Sequence, residues 1–156
     1  MSTADTSGLV TDLAGLPALA GTHAGHTEWQ VMDQARVDKF ADATDDHQWI
    51  HVDTERAKKS PFGGTIAHGY LTLSLVAPIS QQLVRVTDAT TGINYGLDRV
   101  RFPAPLPVGA EWRGGLEMVE VTDIPGGAQM KLRVTIEIKG SEKPALVADA
   151  LVRVYG

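Results

Sequence analysis

Between Met130 and Lys139 the chain alternates without a slip. Met130, Leu132, Val134, Ile136 and Ile138 are apolar, while Lys131, Arg133, Thr135, Glu137 and Lys139 are polar. A period of two puts every apolar side chain on one face, so this segment is a strand with one side on a core and the other in water. Strands of that kind build an antiparallel sheet that needs one apolar layer to cover it. Leu71–Val84 (LTLSLVAPISQQLV) supplies a candidate: it is apolar on nearly every side and, as a helix, belongs in the interior. Either Pro78 kinks that helix or the helix has two parts.

The remaining segments fit around this pair. Arg99–Phe102, Leu116–Val121 and Ala145–Val154 read as further strands, with turns at Pro125-Gly126-Gly127 and Gly140-Ser141. Upstream, Thr27–Met32 reads as a short strand and Asp33 as a helix N-cap. Val37, Phe40, Ala41 and Thr44 then mark one face of a helix ending near Thr44. Asp53 caps a short helix over Thr54–Lys59, stopped by Ser60-Pro61-Phe62-Gly63-Gly64. Residues 1–26, rich in Gly, Ala, Thr and Ser, read as a loosely ordered lead-in with one helical turn, leaving residues 27–156 as the folded domain. Helices first and strands afterwards predict the α+β class, with an antiparallel β-sheet wrapped around a central buried helix. Such a sheet leaves an edge and part of the helix to be covered, and self-association does this, so a homodimer is expected.

Composition narrows the function. At 156 residues the chain holds one domain. Its 14 Lys and Arg are scattered and outnumbered by 19 Asp and Glu, for a net charge of −5, which argues against a nucleic-acid partner. The absence of cysteine removes disulfides, thiolate zinc sites and a thiol nucleophile. The apolar run Leu71–Ile79 is interrupted by Thr72, Ser74 and Pro78 and is too short to cross a bilayer. The first residues lack a basic start followed by a long apolar run, so no signal peptide and no membrane partner are expected, and a cytoplasmic protein is.

The chemistry concentrates in Thr44-Asp45-Asp46-His47-Gln48-Trp49-Ile50-His51, just past a helix end. A turn between Asp46 and His51 brings a carboxylate and an imidazole to one water, and imidazole both takes and returns protons near neutral pH. Competing readings are a metal held by His47 and His51 with Asp46 or His68, and Asp46 as a plain turn residue. The metal reading lacks a supporting motif, and no metal is expected. Downstream, Pro61–Gly69 delivers a glycine to the first turn of the apolar helix. There the free amides attract negative charge, and the Gly69 N–H is open to a ligand oxygen, as in an oxyanion hole. The competing reading for these glycines is ordinary turn chemistry. His68 is a candidate for substrate contact, against a reading as a buried histidine bonded to backbone.

Together, FADATDDHQWIHVD and PFGGTIAHGYLTLSL resemble the MaoC-like, (R)-specific enoyl-CoA hydratases (the hydratase 2 group), from about Trp29 to Phe102 and more loosely to the C-terminus. The resemblance implies a hotdog domain over residues 27–156. It further implies that Asp46 and His51 activate one water, that Gln48 replaces a carboxamide that is often Asn, and that Asp45 stands where Gly is common. The thioester carbonyl would meet the amide of Gly69. Sites in the family lie at a dimer interface, with the acyl chain beside the central helix and the nucleotide near cations. That makes Arg99 and Arg101 candidates for phosphate contact, although a solvated strand face explains them equally well. The implied activity is (R)-specific hydration of enoyl-CoA, with acyl-CoA or acyl-ACP thioester as substrate. No cofactor is needed, because the thioester supplies the acidity. The alternatives are a 3-hydroxyacyl-ACP dehydratase, a thioesterase and a non-catalytic hotdog subunit that binds thioesters.

Overall fold

The computed structural model describes residues 8–156. Readings that concern residues 1–7, including the one on a signal peptide and the start of the lead-in, lie outside the described residues. Residues 8–26, expected to be loosely ordered, instead carry regular structure. A strand β1 (Leu9–Thr11), a 3-10 turn (Leu16–Leu19) and a strand β2 (Thr22–His26) follow one another, and Leu16 is fully buried. The small residues that weaken the apolar pattern here also let β2 lie against a neighbouring strand, where Ala24 is buried.

The expected strand over Thr27–Met32 is shorter, β3 (Gln30–Val31). Helix α1 (Gln34–Thr44) begins as expected: the Asp33 carboxylate accepts the Arg36 N–H, while Val37 and Ala41 face the core. It stops at Asp45, whose φ of 61° is left-handed. Two short helices follow, α2 (Trp49–Val52) and α3 (Thr54–Lys58), the second capped by Asp53 through the Arg56 N–H.

The apolar helix is in two parts, the second of the two expectations: α4 (Gly69–Ser74) and α5 (Val76–Leu83), which meet at Leu75. Pro78 occupies the first turn of α5, where its missing N–H would have had no partner within the helix. Leu71, Thr72, Leu75, Val76, Ile79 and Leu83 are buried, but Tyr70, Ser74 and Pro78 are exposed, so the helix is not enclosed on every side.

After β4 (Val84–Val86), which pairs in parallel with β1, come the long strands β5 (Thr91–Arg101), β6 (Glu111–Ile124), β7 (Gly127–Ile138) and β8 (Leu146–Tyr155). They form an antiparallel sheet in the order β2-β6-β7-β8-β5, with β3 also on β6. The register pairs Leu116 with Val134 and Leu132 with Ala150, so the inward faces of β6, β7 and β8 coincide. Their buried side chains pack on α4 and α5, each contributing about 1.5–3 kcal/mol for a full-sized aliphatic group. Gly114 allows this approach, since a side chain there would overlap Ile79 of α5. The result is the expected α+β domain, a sheet wrapped around a central helix. β5 is an edge strand, and along it Ile93, Tyr95 and Leu97 are exposed. No helix among the described residues is long and apolar enough to cross a membrane.

Candidate active site

The left-handed turn at Asp45 ends α1 abruptly and starts the loop that carries Asp46. The Asp46 carboxylate accepts the Gln48 N–H (3.3 Å), and one turn of helix then places His51 facing inward, 6% exposed. His68 arrives from the opposite direction as the N-cap residue of α4, 2% exposed. A carboxylate oxygen of Asp46 and one ring nitrogen each of His51 and His68 lie within 4.8 Å of one another. That separation fits a single water between acid and base. Gly69 follows His68 directly and opens α4, where the first amides have no partner within the helix.

Backbone carbonyls define the histidine tautomers. Nδ1 of His51 lies 2.7 Å from the Ile66 carbonyl, which only accepts, so Nδ1 carries the hydrogen and Nε2 keeps its lone pair in the neutral ring. Burial holds the His51 pKa below its ordinary value. The bond to Ile66 opposes this, His68 adds to it and the Asp46 charge opposes it. His51 is therefore a neutral imidazole at physiological pH, with an open basic nitrogen.

Three supports were not visible from sequence. The Gln34 amide donates to the His51 carbonyl (2.8 Å) while its own oxygen accepts from Thr65 (2.6 Å), tying α1, α2 and the segment before α4 together. Ile66 contributes only its carbonyl. The Phe102 ring lies 3.4 Å from where a Cβ on Gly69 would stand, so it packs against the bare face of that glycine. Nothing in the pattern around Gln34 or Phe102 separates them from an ordinary helix residue and an ordinary strand end.

The other expected site residues scatter. Gln48 presents an exposed side chain and acts through its backbone. Arg99 and Arg101 lie on β5 and, with Arg133 and Asp149, line a separate cavity of about 520 Å³ that includes none of Asp46, His51 or His68. His47 turns outward to Asp42 (2.9 Å), away from the pair expected for a metal. Asp46, His51 and His68 are the group among the described residues that could hold a cation. However, the His51 and His68 rings are stacked, with centroids 3.9 Å apart and planes 22° apart. In-plane lone pairs from rings so nearly parallel do not converge within the roughly 2.0–2.1 Å of a zinc–nitrogen bond.

Residues 16–139 match the family model described as "MaoC like domain". The chain belongs to the MaoC-like family. Among curated MaoC-like relatives, it is 49% identical over 142 residues to "3-hydroxyacyl-thioester dehydratase Z" of Mycobacterium tuberculosis, covering 90% of this chain and 94% of that one. It is 46% identical to "Nodulation protein N" of Rhizobium leguminosarum bv. viciae, covering 88% and 87%. Among solved structures, the (R)-hydratase from A. caviae involved in PHA biosynthesis superposes with a TM-score of 0.71 at 25% identity, covering 85% of this chain and 94% of that one. The fold is the hotdog, and this MaoC-like chain is an enzyme of the hydro-lyase type.

Proposed function

We propose that the chain catalyses the reversible hydration of a trans-2-enoyl-CoA to the (3R)-hydroxyacyl-CoA. The observation that carries this is the pairing of the Asp46 carboxylate with a neutral His51 whose Nδ1 is committed to the Ile66 carbonyl. Water held between them attacks C3 and its oxygen forms the new C–O bond. One water proton passes to the Asp46/His51 pair, negative charge moves through C2 onto the thioester oxygen, and C2 then takes a proton from the pair. The Gly69 N–H receives the oxygen charge, a role in which one donor is typically worth about 2.7–4 kcal/mol. The two titrating groups act as a coupled pair, so each transfer belongs to the pair.

Two features bear on the substrate and the assembly. An apolar cavity of about 280 Å³ beside α4 and α5, lined by Leu73, Val76, Ala77, Gly96 and Leu97, suits an acyl chain. It lies against β5, the exposed apolar edge, which a second copy of the chain would cover to give the homodimer. In the cavity where Arg133 is paired with Asp149, Arg99 and Arg101 suit the nucleotide phosphates that distinguish CoA from a carrier protein.

The test is an enoyl-CoA hydration assay across chain lengths, with chiral analysis of the product and the same acyl groups offered on acyl carrier protein. Loss of the enoyl absorbance with (3R) product is expected, with CoA preferred. Thiol release without hydration, or no reaction at any length, would overturn the reading. Preference for the carrier protein would make the enzyme a 3-hydroxyacyl-ACP dehydratase.

A further inference from the structure

On the hydration reading above, we infer that His68 is a positioning residue: one buried ring that fastens the Asp46 loop, the His51 imidazole and the first turn of α4 into a single unit. His68 occupies the N-cap of α4 but makes no capping bond with its side chain. Its Nε2 instead reaches 22 residues back along the chain to the carbonyl oxygen of Asp46, at 3.0 Å. A carbonyl only accepts, so Nε2 carries a hydrogen, and in the neutral ring Nδ1 keeps a lone pair. That Nδ1 is buried and has no hydrogen-bond partner among the described residues. A buried acceptor without a donor costs stability, and an apolar ring of similar shape would avoid the cost. The imidazole here therefore has a task beyond filling space.

Its surroundings say what the task is. One neighbour is the Phe40 ring of α1, 4.8 Å away and tilted by 54°. Another is His51, stacked at 3.9 Å. The Asp46 peptide it holds comes straight after the left-handed residue that ends α1, so no helical bond continues along that stretch. The next residue after His68 is Gly69, whose amide starts α4. One side chain thus touches the backbone of the carboxylate residue and the face of the base, and it precedes the amide assigned to the thioester oxygen. At 2% exposure it has almost no surface to offer a substrate, so its contribution passes through Asp46 and His51.

The experiment uses the full-length protein and two substitutions. His68→Phe keeps a packed ring and removes the donor, whereas His68→Gln keeps a donor nitrogen near the place of Nε2. Misplacing a reacting group by an ångström costs up to about 100-fold, so His68→Phe should lower kcat by about 10- to 100-fold and leave KM within about threefold. His68→Gln should recover kcat to within about tenfold of the parent, since the tether is restored. In the parent labelled with 15N at histidine, NMR should show the His68 hydrogen on Nε2, against the Asp46 carbonyl, and the neutral His51 ring with its hydrogen on Nδ1. A His68→Phe enzyme with parental kcat would overturn the inference, as would one with raised KM alone or a His68 ring protonated on Nδ1. Should His68→Phe not fold, the parent's tautomers and His68→Gln still decide. A parent with these tautomers but no hydration activity would sink the function proposed above and leave the tether standing.

Discussion

Strands β6 to β8 and the segment from Asp45 to Gly69 both hold side chains in fixed places, by opposite means. The strands do it by repetition: an unbroken antiparallel register, with buried residues such as Leu116, Leu132 and Val134 adding their burial along three neighbouring strands. The site segment has no such repetition. Its helices α2, α3 and α4 are four, five and six residues long, too short to persist alone. They are held by a few specific bonds: His51 to the Ile66 carbonyl, His68 to the Asp46 carbonyl, and Gln34 to both His51 and Thr65. Stability is spread over the sheet, while catalytic geometry rests on single contacts.

Substitutions should therefore separate the two regions. Asp46→Asn and His51→Ala should each lower kcat by about 10²- to 10⁴-fold while the protein stays folded, because proton transfer is lost; His51→Ala should also lower the melting temperature, since it empties a buried ring site and leaves the Ile66 carbonyl without its donor. Leu132→Ala on β7, fully buried, should do the reverse, costing about 2–5 kcal/mol of stability with near-parental turnover per folded molecule. Near-normal turnover in both site variants would remove the assigned acid–base pair.

Two glycines sharpen the contrast at a smaller scale. A methyl on Gly69 meets the Phe102 ring at 3.4 Å, whereas one on Gly114 would overlap Ile79. Overpacking of this kind costs about 1–3 kcal/mol, so Gly114→Ala should lower stability by that amount and spare kcat. At Gly69 the methyl would only reach ordinary contact with Phe102, so Gly69→Ala should act by standing beside the amide assigned to the thioester oxygen and lower kcat by about tenfold, the kinetic equivalent of roughly 1.4 kcal/mol. A Gly69→Ala enzyme with parental kinetics would show that the amide at the start of α4 needs no bare face beside it.

The same division decided what could be read in advance. The alternation from Met130 to Lys139 and the caps at Asp33 and Asp53 are local signals, and each corresponds to the element it predicts. Asp46 and His51 stood out because titrating residues are uncommon in such density. Residues 8–26 carry few strong apolar positions, so their order, which depends on β6 and β4, could not be read locally. Ile66 and Asp46 donate nothing distinctive at the decisive contacts, since both act through carbonyls that every residue possesses. The reading of His68 as a buried histidine bonded to backbone agrees with its place, but its neighbours Phe40 and His51 meet it only across the fold. Arg99 and Arg101 were placed on a strand correctly, but only the sheet's register shows that they line a different cavity.

Acid should also probe the site differently from the sheet. Burial holds the folded His51 pKa below the ordinary 6.5. Above 6.5 the ring is neutral in both folded and unfolded chains and contributes no slope. As pH falls from 6.5 towards the folded value, the unfolded chain binds more protons, so stability declines, and the decline from this group ends below the folded value. The neutral base also survives below 6.5, which places the acid limb of the hydration rate at lower pH. Urea unfolding of the parent and of His51→Gln across this range should show a flatter pH dependence for the variant. An acid limb above 6.5, or identical slopes, would contradict the environment assigned to His51.

The smallest effect isolates backbone from side chain at the hinge between the two regions. Asp45 is the one described non-glycine residue with positive φ, and it ends α1 just before the carboxylate residue. L-residues pay roughly 1–2 kcal/mol in that conformation, with Asp among those that bear it best. Glycine removes the strain but gives the unfolded chain more freedom, so Asp45→Gly should gain at most about 1 kcal/mol. Asp45→Ala adds a Cβ without the local polar compensation and should lose about 1 kcal/mol or more. Neither change alters the Asp46, His51 and His68 cluster, so turnover should stay within about twofold if the left-handed turn is kept. Equal stability in the Gly and Ala variants would mean that the turn is imposed by the His68 tether on Asp46, and that the site segment shapes the end of α1 rather than the reverse.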